Sequence, residues 1–135
     1  MALRALARRI RQRWREDDGD ASLQMLICFP AALLLTFLVI EACNVYFAKQ
    51  AATTAAREAV SGARAYGNST GDGVARANSV FQRVHGTLVN PRVSASGSDA
   101  NRVVFTVTAK APSLLGLSIT VTERSTGPVE RWTTP

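Results

Sequence analysis

Few side chains in this sequence are of a kind that could do chemistry, and their spacing limits what each could do. The single histidine, His85, stands at the end of an amphipathic stretch with no nucleophile or acid set to converge on it, so it reads as a capping or surface residue. Asp17, Asp18 and Asp20 lie close together and could attract a cation, but acidic residues at a helix start are what the helix dipole favours in any case. Cys28 and Cys43 are fifteen residues apart. On one helix, rising about 1.5 Å per residue, they stand more than about 20 Å from each other and cannot pair within the chain. They read as small apolar fillers, with an intermolecular disulfide at Cys43 as the other reading. Asn68-Ser69-Thr70 matches a glycosylation sequon, a three-residue pattern that carries weight only in a eukaryotic host. There is no glycine-rich phosphate loop, no metal-ligand spacing and no nucleophile motif. The sequence therefore predicts no enzyme: no catalytic residue, no metal, no cofactor and no small-molecule substrate.

The informative features are the elements on which these residues sit. Between Asp20 and Glu41 twenty residues carry no charge, about the length an α-helix needs to cross roughly 30 Å of hydrocarbon. Ahead of that run stand six arginines (Arg4, Arg8, Arg9, Arg11, Arg13 and Arg15) against Glu16, Asp17 and Asp18. Half of the net charge of +6 thus lies in the first nineteen residues, where the positive-inside tendency holds it on the cytoplasmic face. A basic tract can also neutralise nucleic-acid phosphates, but beside a membrane span its role is topology and contact with the lipid bilayer, and no nucleic-acid partner is expected. The chain reads as a single-pass protein of the cytoplasmic membrane, N-terminus cytoplasmic and C-terminus extracytoplasmic.

Pro30, inside the apolar run, removes one backbone hydrogen bond and predicts a bend. Past Tyr46 and Phe47, which suit the lipid–water boundary, the helical pattern continues. Gln50, Thr53, Arg57, Ser61 and Arg64 share one side with Lys49, while Ala48, Ala51, Ala52, Ala55, Ala59, Gly62, Ala63 and Tyr66 share the other. Such a stripe of small residues lets another helix or a sheet approach closely. Val60 and Glu58 fit the pattern less well. Residues 67–73 read as a loop, and a second helix follows at about 74–85. Two-residue alternation then predicts strands through Val103, Phe105, Val107 and Ala109 and through Leu117, Ile119 and Val121, with a weaker one at Val93 and Ala95. In the linker between the two strong strands, Leu114 and Leu115 are more apolar than a solvated turn requires; they either cover the open end of a small core or touch a partner. The tail through Val129 and Trp132 adds a short edge segment or stays extended. The expected fold class is α+β: a long N-terminal membrane-spanning helix that extends outside the membrane, a second short helix and a small antiparallel sheet of about three strands. The segments are a basic leader (1–19), a transmembrane helix (20–47), its extramembrane continuation (48–66) and a helix-plus-sheet head (67–135).

A basic region followed by an apolar run also suggests a secretory signal, but twenty residues exceed the usual apolar region and no small-residue cleavage site follows. Ile40-Glu41-Ala42-Cys43 has the outline of a lipoprotein box with Glu41 out of place. A closer likeness begins at Asp17-Asp18-Gly19-Asp20-Ala21-Ser22-Leu23-Gln24-Met25, which resembles a prepilin-type leader cut between Gly19 and Asp20. Glycine suits such a site because it leaves the backbone open to close approach. With the stretch from Ile40 through Glu41, Tyr46, Phe47 and Lys49 to Ala51, then Ala55-Ala56-Arg57-Glu58-Ala59 and Ala63-Arg64-Ala65, the chain resembles the TadE-like pseudopilins, and Gly127-Pro128-Val129-Glu130-Arg131 resembles endings of their actinobacterial members.

The resemblance implies a minor pseudopilin of a Tad/Flp-type pilus-assembly or secretion system. It implies maturation by a prepilin peptidase at Gly19 and Asp20. It implies partners too: other pilin-like or TadE/TadF-like subunits, and an inner-membrane assembly platform. The assembly helix would carry Gln24, Pro30, Glu41, Ala51, Ala55, Ala59 and Ala63. One departure stands out. Where most pilins carry a glutamate five residues past the cut, this chain has Gln24, which can accept a hydrogen bond but has no charge to set against a neighbouring amine. Asp20 could offset that amine locally. The competing reading is an uncleaved membrane protein whose outer domain binds an envelope partner.

Overall fold

The computed structural model describes residues 2–131, with side chains over 21–131. In chain order the elements are α1 (Ala2–Arg64), α2 (Thr70–Arg83), β1 (Val89–Ser94), β2 (Arg102–Lys110) and β3 (Thr120–Pro128). The expected fold class holds: a long helix, a short helix and a three-stranded antiparallel sheet in the order β1-β2-β3. The chain divides into two units, Met1–Val39 and Ile40–Pro135.

In the first unit α1 continues through Pro30. Every described side chain from Ala21 to Val39 is exposed, including Leu23, Met25, Leu26, Ile27, Phe29 and Leu34. This helix is long and apolar enough to cross a membrane. So much contiguous apolar surface is not a surface for water. Thr36 Oγ1 donates back to the Ala32 carbonyl at 2.9 Å, which satisfies it within the helix.

The second unit is built on the small face of α1. Ala48, Ala52, Ala55 and Ala56 pack with Val80 of α2 and with Val107, Ala109 and Val121 of the sheet. Further along, Ala59, Val60 and Ala63 pack with Ala77, Val103 and Phe105. Moving along α1 from Ala63 to Ala48 thus follows β2 from Val103 to Ala109 and on to Ala111. The stripe foreseen from the sequence is covered by the chain's own helix and sheet. Val60, which fits the angular pattern less well, is buried; Tyr66 lies beyond the end of α1 and is exposed.

Alanine alone cannot set the spacing, because neighbouring elements must also be thin at the contact. Gly73 in α2 meets this need. A Cβ there would lie 2.6 Å from the Ala59 carbonyl oxygen and 2.9 Å from Ala63 Cβ, and would collide with the Phe105 ring. Residues 67–73 read as loop from composition, yet α2 starts at Thr70. Ser69 caps it: its N–H and its hydroxyl both donate to Asp72 Oδ2, at 2.7 and 2.8 Å. Asn68 Nδ2 donates to the Gly62 carbonyl at 2.7 Å, so the amide of the sequon is committed to the end of α1.

β3 is the element the sequence misplaces. It runs Thr120–Pro128, so Leu117 and Ile119 precede it and the strand continues through Glu123 and Ser125 to Gly127. Only Val121 and Gly127 along it are buried. Gly127 has no side chain because Val60 Cγ1 would lie 2.7 Å from its Cβ. The tail then fastens to α1: Val129 packs on the core, the Glu130 N–H donates to the Arg64 carbonyl at 2.9 Å, and the Arg64 and Glu130 side chains pair at 3.2 Å. Trp132 lies outside the described residues. At the β1–β2 turn, past the last pair Ser94–Thr106, the Ser98 hydroxyl takes over from the missing partner strand. It accepts from the Val104 N–H at 2.9 Å and donates to the Val104 carbonyl at 3.1 Å. Asp99 Oδ1 accepts the N–H groups of Asn101 and Arg102, both at 2.8 Å.

Two outcomes are expected. Gly73→Ala overpacks the junction of α1, α2 and Phe105 and costs about 1–3 kcal/mol of stability, whereas Gly71→Ala, which meets only the Ser69 hydroxyl at 3.3 Å, is tolerated; denaturant unfolding in detergent micelles separates them. Asp72 and Asp99 are both held below the ordinary aspartate value of 3.8, chiefly by the Ser69 N–H for the first and the Asn101 N–H for the second. Because the folded values are lowered, their stabilisation is complete above the ordinary value and is lost as pH falls through the folded ones. Asp72→Ala and Asp99→Ala should therefore lower Tm at neutral pH, with the gap to the parent closing in strong acid.

Candidate functional site

The buried positions of α1 do not begin at Ala48. Glu41, only 4% exposed, is followed at helical spacing by the half-buried Val45 and then by Ala48, Ala52, Ala55, Ala59 and Ala63. The glutamate is therefore the first member of the same stripe. A carboxylate in such a place needs donors, since an unpaired buried charge is strongly unfavourable.

The β2–β3 loop supplies them. Glu41 Oε1 accepts three hydrogen bonds, each 2.7 Å, from the Ser113 hydroxyl and from the backbone N–H groups of Leu114 and Leu115. Ser113 Oγ in turn accepts the Leu117 N–H at 2.8 Å, so one hydroxyl joins the carboxylate to the far side of the turn. Gly116 provides the reversal with φ of 75°, a left-handed conformation that a side chain would strain. The Ala111 N–H donates to the Ile119 carbonyl at 2.9 Å and closes the loop at its base. Glu41 Oε2 is buried with no partner among the described residues. The three donors on Oε1 are what offset that. Chemically this is a brace: the lone pairs of the one bonded oxygen are committed, and what they hold is the backbone of residues 113–115.

The brace answers the question left open for the two leucines. With their N–H groups turned to Glu41, Leu114 is 62% and Leu115 47% exposed, so neither covers the core. Leu117 and Ile119 are also exposed, and on α1 so are Tyr46 and Phe47, whose rings meet edge to face at 5.9 Å.

The other residues expected at the cut or on the assembly helix fall into three groups. Gln24 and Pro30 are exposed in the first unit. Ala51, Ala55, Ala59 and Ala63 are buried in the chain's own core. Gly19 and Asp20 lie outside the residues whose side chains are described. His85 is exposed just past α2, and Cys28 and Cys43 are free and exposed. Among the described residues, no group of three or more His, Cys, Asp or Glu could hold a metal ion. Ser113 is the functional residue that sequence reasoning missed. The available signal was a charge on the small-residue face of a helix, which demands a donor-rich turn elsewhere, and Ser113-Leu114-Leu115-Gly116 is such a turn.

Glu41→Ala leaves a hydroxyl and two N–H groups without their acceptor. Hydrogen exchange of the Leu114 and Leu115 amides should accelerate at least tenfold while amides in the centre of β2 keep their protection, and Glu41→Gln, which retains a neutral acceptor, should fall between.

Comparison with known families adds one finding: residues 19–61 match the model of the family described as TadE-like protein. No curated protein and no solved structure matches the chain. The matched segment starts at Gly19, contains the apolar run and Glu41, and ends within the alanine stripe, so it takes in the membrane anchor and most of the helix on which the second unit is built. Over this segment the chain is similar to the TadE-like family, and the apolar helix within it is long enough to anchor the protein in a membrane.

Proposed function

We propose that the chain is a minor pseudopilin that takes part in assembling a Tad/Flp-type pilus or secretion system. The observation that carries this reading is where the family match begins: at residue 19, the glycine after which a prepilin peptidase would cut. On this reading the arginine-rich residues ahead of Gly19 stay in the cytoplasm and the second unit stands outside. Asp20 becomes the first residue of the mature subunit. The peptidase, other pilin-like or TadF-like subunits and an inner-membrane platform are its partners.

The placement of the alanines refines which surface would meet other subunits. Ala51, Ala55, Ala59 and Ala63 are occupied within the chain, so the assembly contact falls to the exposed apolar part of α1, with Gln24 and Pro30 on it. Apolar helices in lipid associate by packing and by polar contacts more than by hydrophobicity. Gln24 can supply a neutral hydrogen bond there, without the Coulomb attraction of a carboxylate.

Mass spectrometry of the mature N-terminus, from cells with and without the peptidase, tests the reading. The expected product begins at Asp20, and Gly19→Leu should accumulate the full-length precursor. An intact Met1 in the parent chain when the peptidase is present would overturn the processing step and favour the uncleaved envelope-binding protein.

A further inference from the structure

The loop held by Glu41 differs in character from the other end of the sheet. From Ala111 to Thr122 no residue is charged, and Leu114, Leu115, Leu117 and Ile119 are all exposed. The β1–β2 turn at the opposite end carries Asp99 and Arg102, with Arg131 donating to the Ala100 carbonyl beside it. Sheet-end loops of a small domain are ordinarily polar, so four exposed apolar side chains in one loop call for an apolar neighbour.

The position of the brace identifies that neighbour. Glu41 is the first charged residue after the apolar run, and a run of that length is used up in crossing roughly 30 Å of hydrocarbon. The outer boundary of the hydrocarbon therefore falls at about Glu41. Three hydrogen bonds of 2.7 Å tie the loop backbone to that same residue. Tyr46 and Phe47, exposed on the following turn of α1, are of the type that lies at headgroup level. The loop backbone is thus tied to the residue at which the charge-free run ends.

We propose that the β2–β3 loop is a second membrane contact: Leu114, Leu115, Leu117 and Ile119 enter the outer face of the phospholipid bilayer that α1 crosses, and Glu41 sets their depth. The protein then meets the membrane at two places, a spanning helix and a shallow apolar loop. Two insertion points, unlike one, limit how the outer domain can tilt and turn about the helix axis. Glu41 also gains a reason for its place: its donors, the Ser113 hydroxyl and the Leu114 and Leu115 N–H groups, come from the same segment that reaches the lipid.

The inference rests on membrane insertion of α1 and not on a role in assembly. It can be tested on the full chain in phosphatidylcholine vesicles. With Cys28 and Cys43 replaced by alanine, single cysteines at Leu115, Leu117, Phe29 and Ser96 carry an environment-sensitive fluorophore. Quenching by lipid nitroxides near the headgroup is compared with quenching by aqueous iodide. The expected result is severalfold stronger lipid quenching at Leu115 and Leu117 than at Ser96, with iodide showing the reverse order. Lipid quenching at Phe29 confirms that the helix is inserted. If Phe29 is quenched by lipid while Leu115 and Leu117 are quenched by iodide, the inference is overturned though the anchor stands. Protection of Leu115 and Leu117 from both quenchers also overturns it, since that pattern means another protein surface covers the loop.

Discussion

One face of α1 has to be the floor of a protein core, and it does so with almost no side-chain volume. Past Glu41 at its start, the largest buried side chain it contributes is Val60, and the other buried side chains are those of alanines. A buried methyl group contributes little, about 0.8 kcal/mol, so the face stabilises by proximity and the bulk must come from opposite. Phe105, Val103 and Val107 on β2 and Val80 on α2 provide it. The close approach also accounts for glycine at 73 and 127, where a Cβ would run into Ala59 and Ala63 in one case and Val60 in the other.

The polar groups at the limits of that core are handled by short-range devices. Asn68 and Ser69 close the junction of the two helices, Ser98 substitutes for a missing strand at Val104, and Glu41 closes the opposite end by gathering three donors from one turn. In each case a polar side chain, that of Asp72 for the Ser69 N–H, satisfies backbone groups that regular structure leaves open. Among the described residues, the surface ion pairs Lys49–Glu123 at 3.9 Å and Arg76–Glu58 at 3.4 Å join α1 to β3 and to α2, but such exposed pairs contribute little.

Much of this was legible in the sequence, where the physics is periodic. The charge-free run, the alanine stripe and the alternation through β2 each repeat over several turns or residues, and each marks a real element. The start of α2 was not legible because Gly71 and Gly73 look like loop residues, and only the tertiary contact with Phe105 explains the second glycine. β3 was misplaced because the positions that alternate with its exposed ones are Val121, Glu123, Ser125 and Gly127, of which only Val121 is apolar with bulk; at Gly127 Val60 of α1 leaves no room for a side chain. Leu117 and Ile119 then imitated the strand they only lead into. Of the site, Glu41 was visible and its partners were not, since Ser113, Leu114 and Leu115 lie more than seventy residues away.

The alanine stripe also determines how the molecule can be divided. The eye places a boundary at Gly67, after the helix, with an anchor before it and a head after it. The packing places none there, because residues 48–63 are one wall of the head. A fragment beginning at Gly67 would leave Phe105, Val107 and Val80 facing solvent and should aggregate. A soluble form must keep α1 from about Glu41 onward, and the part that can be exchanged for another anchor ends before that residue.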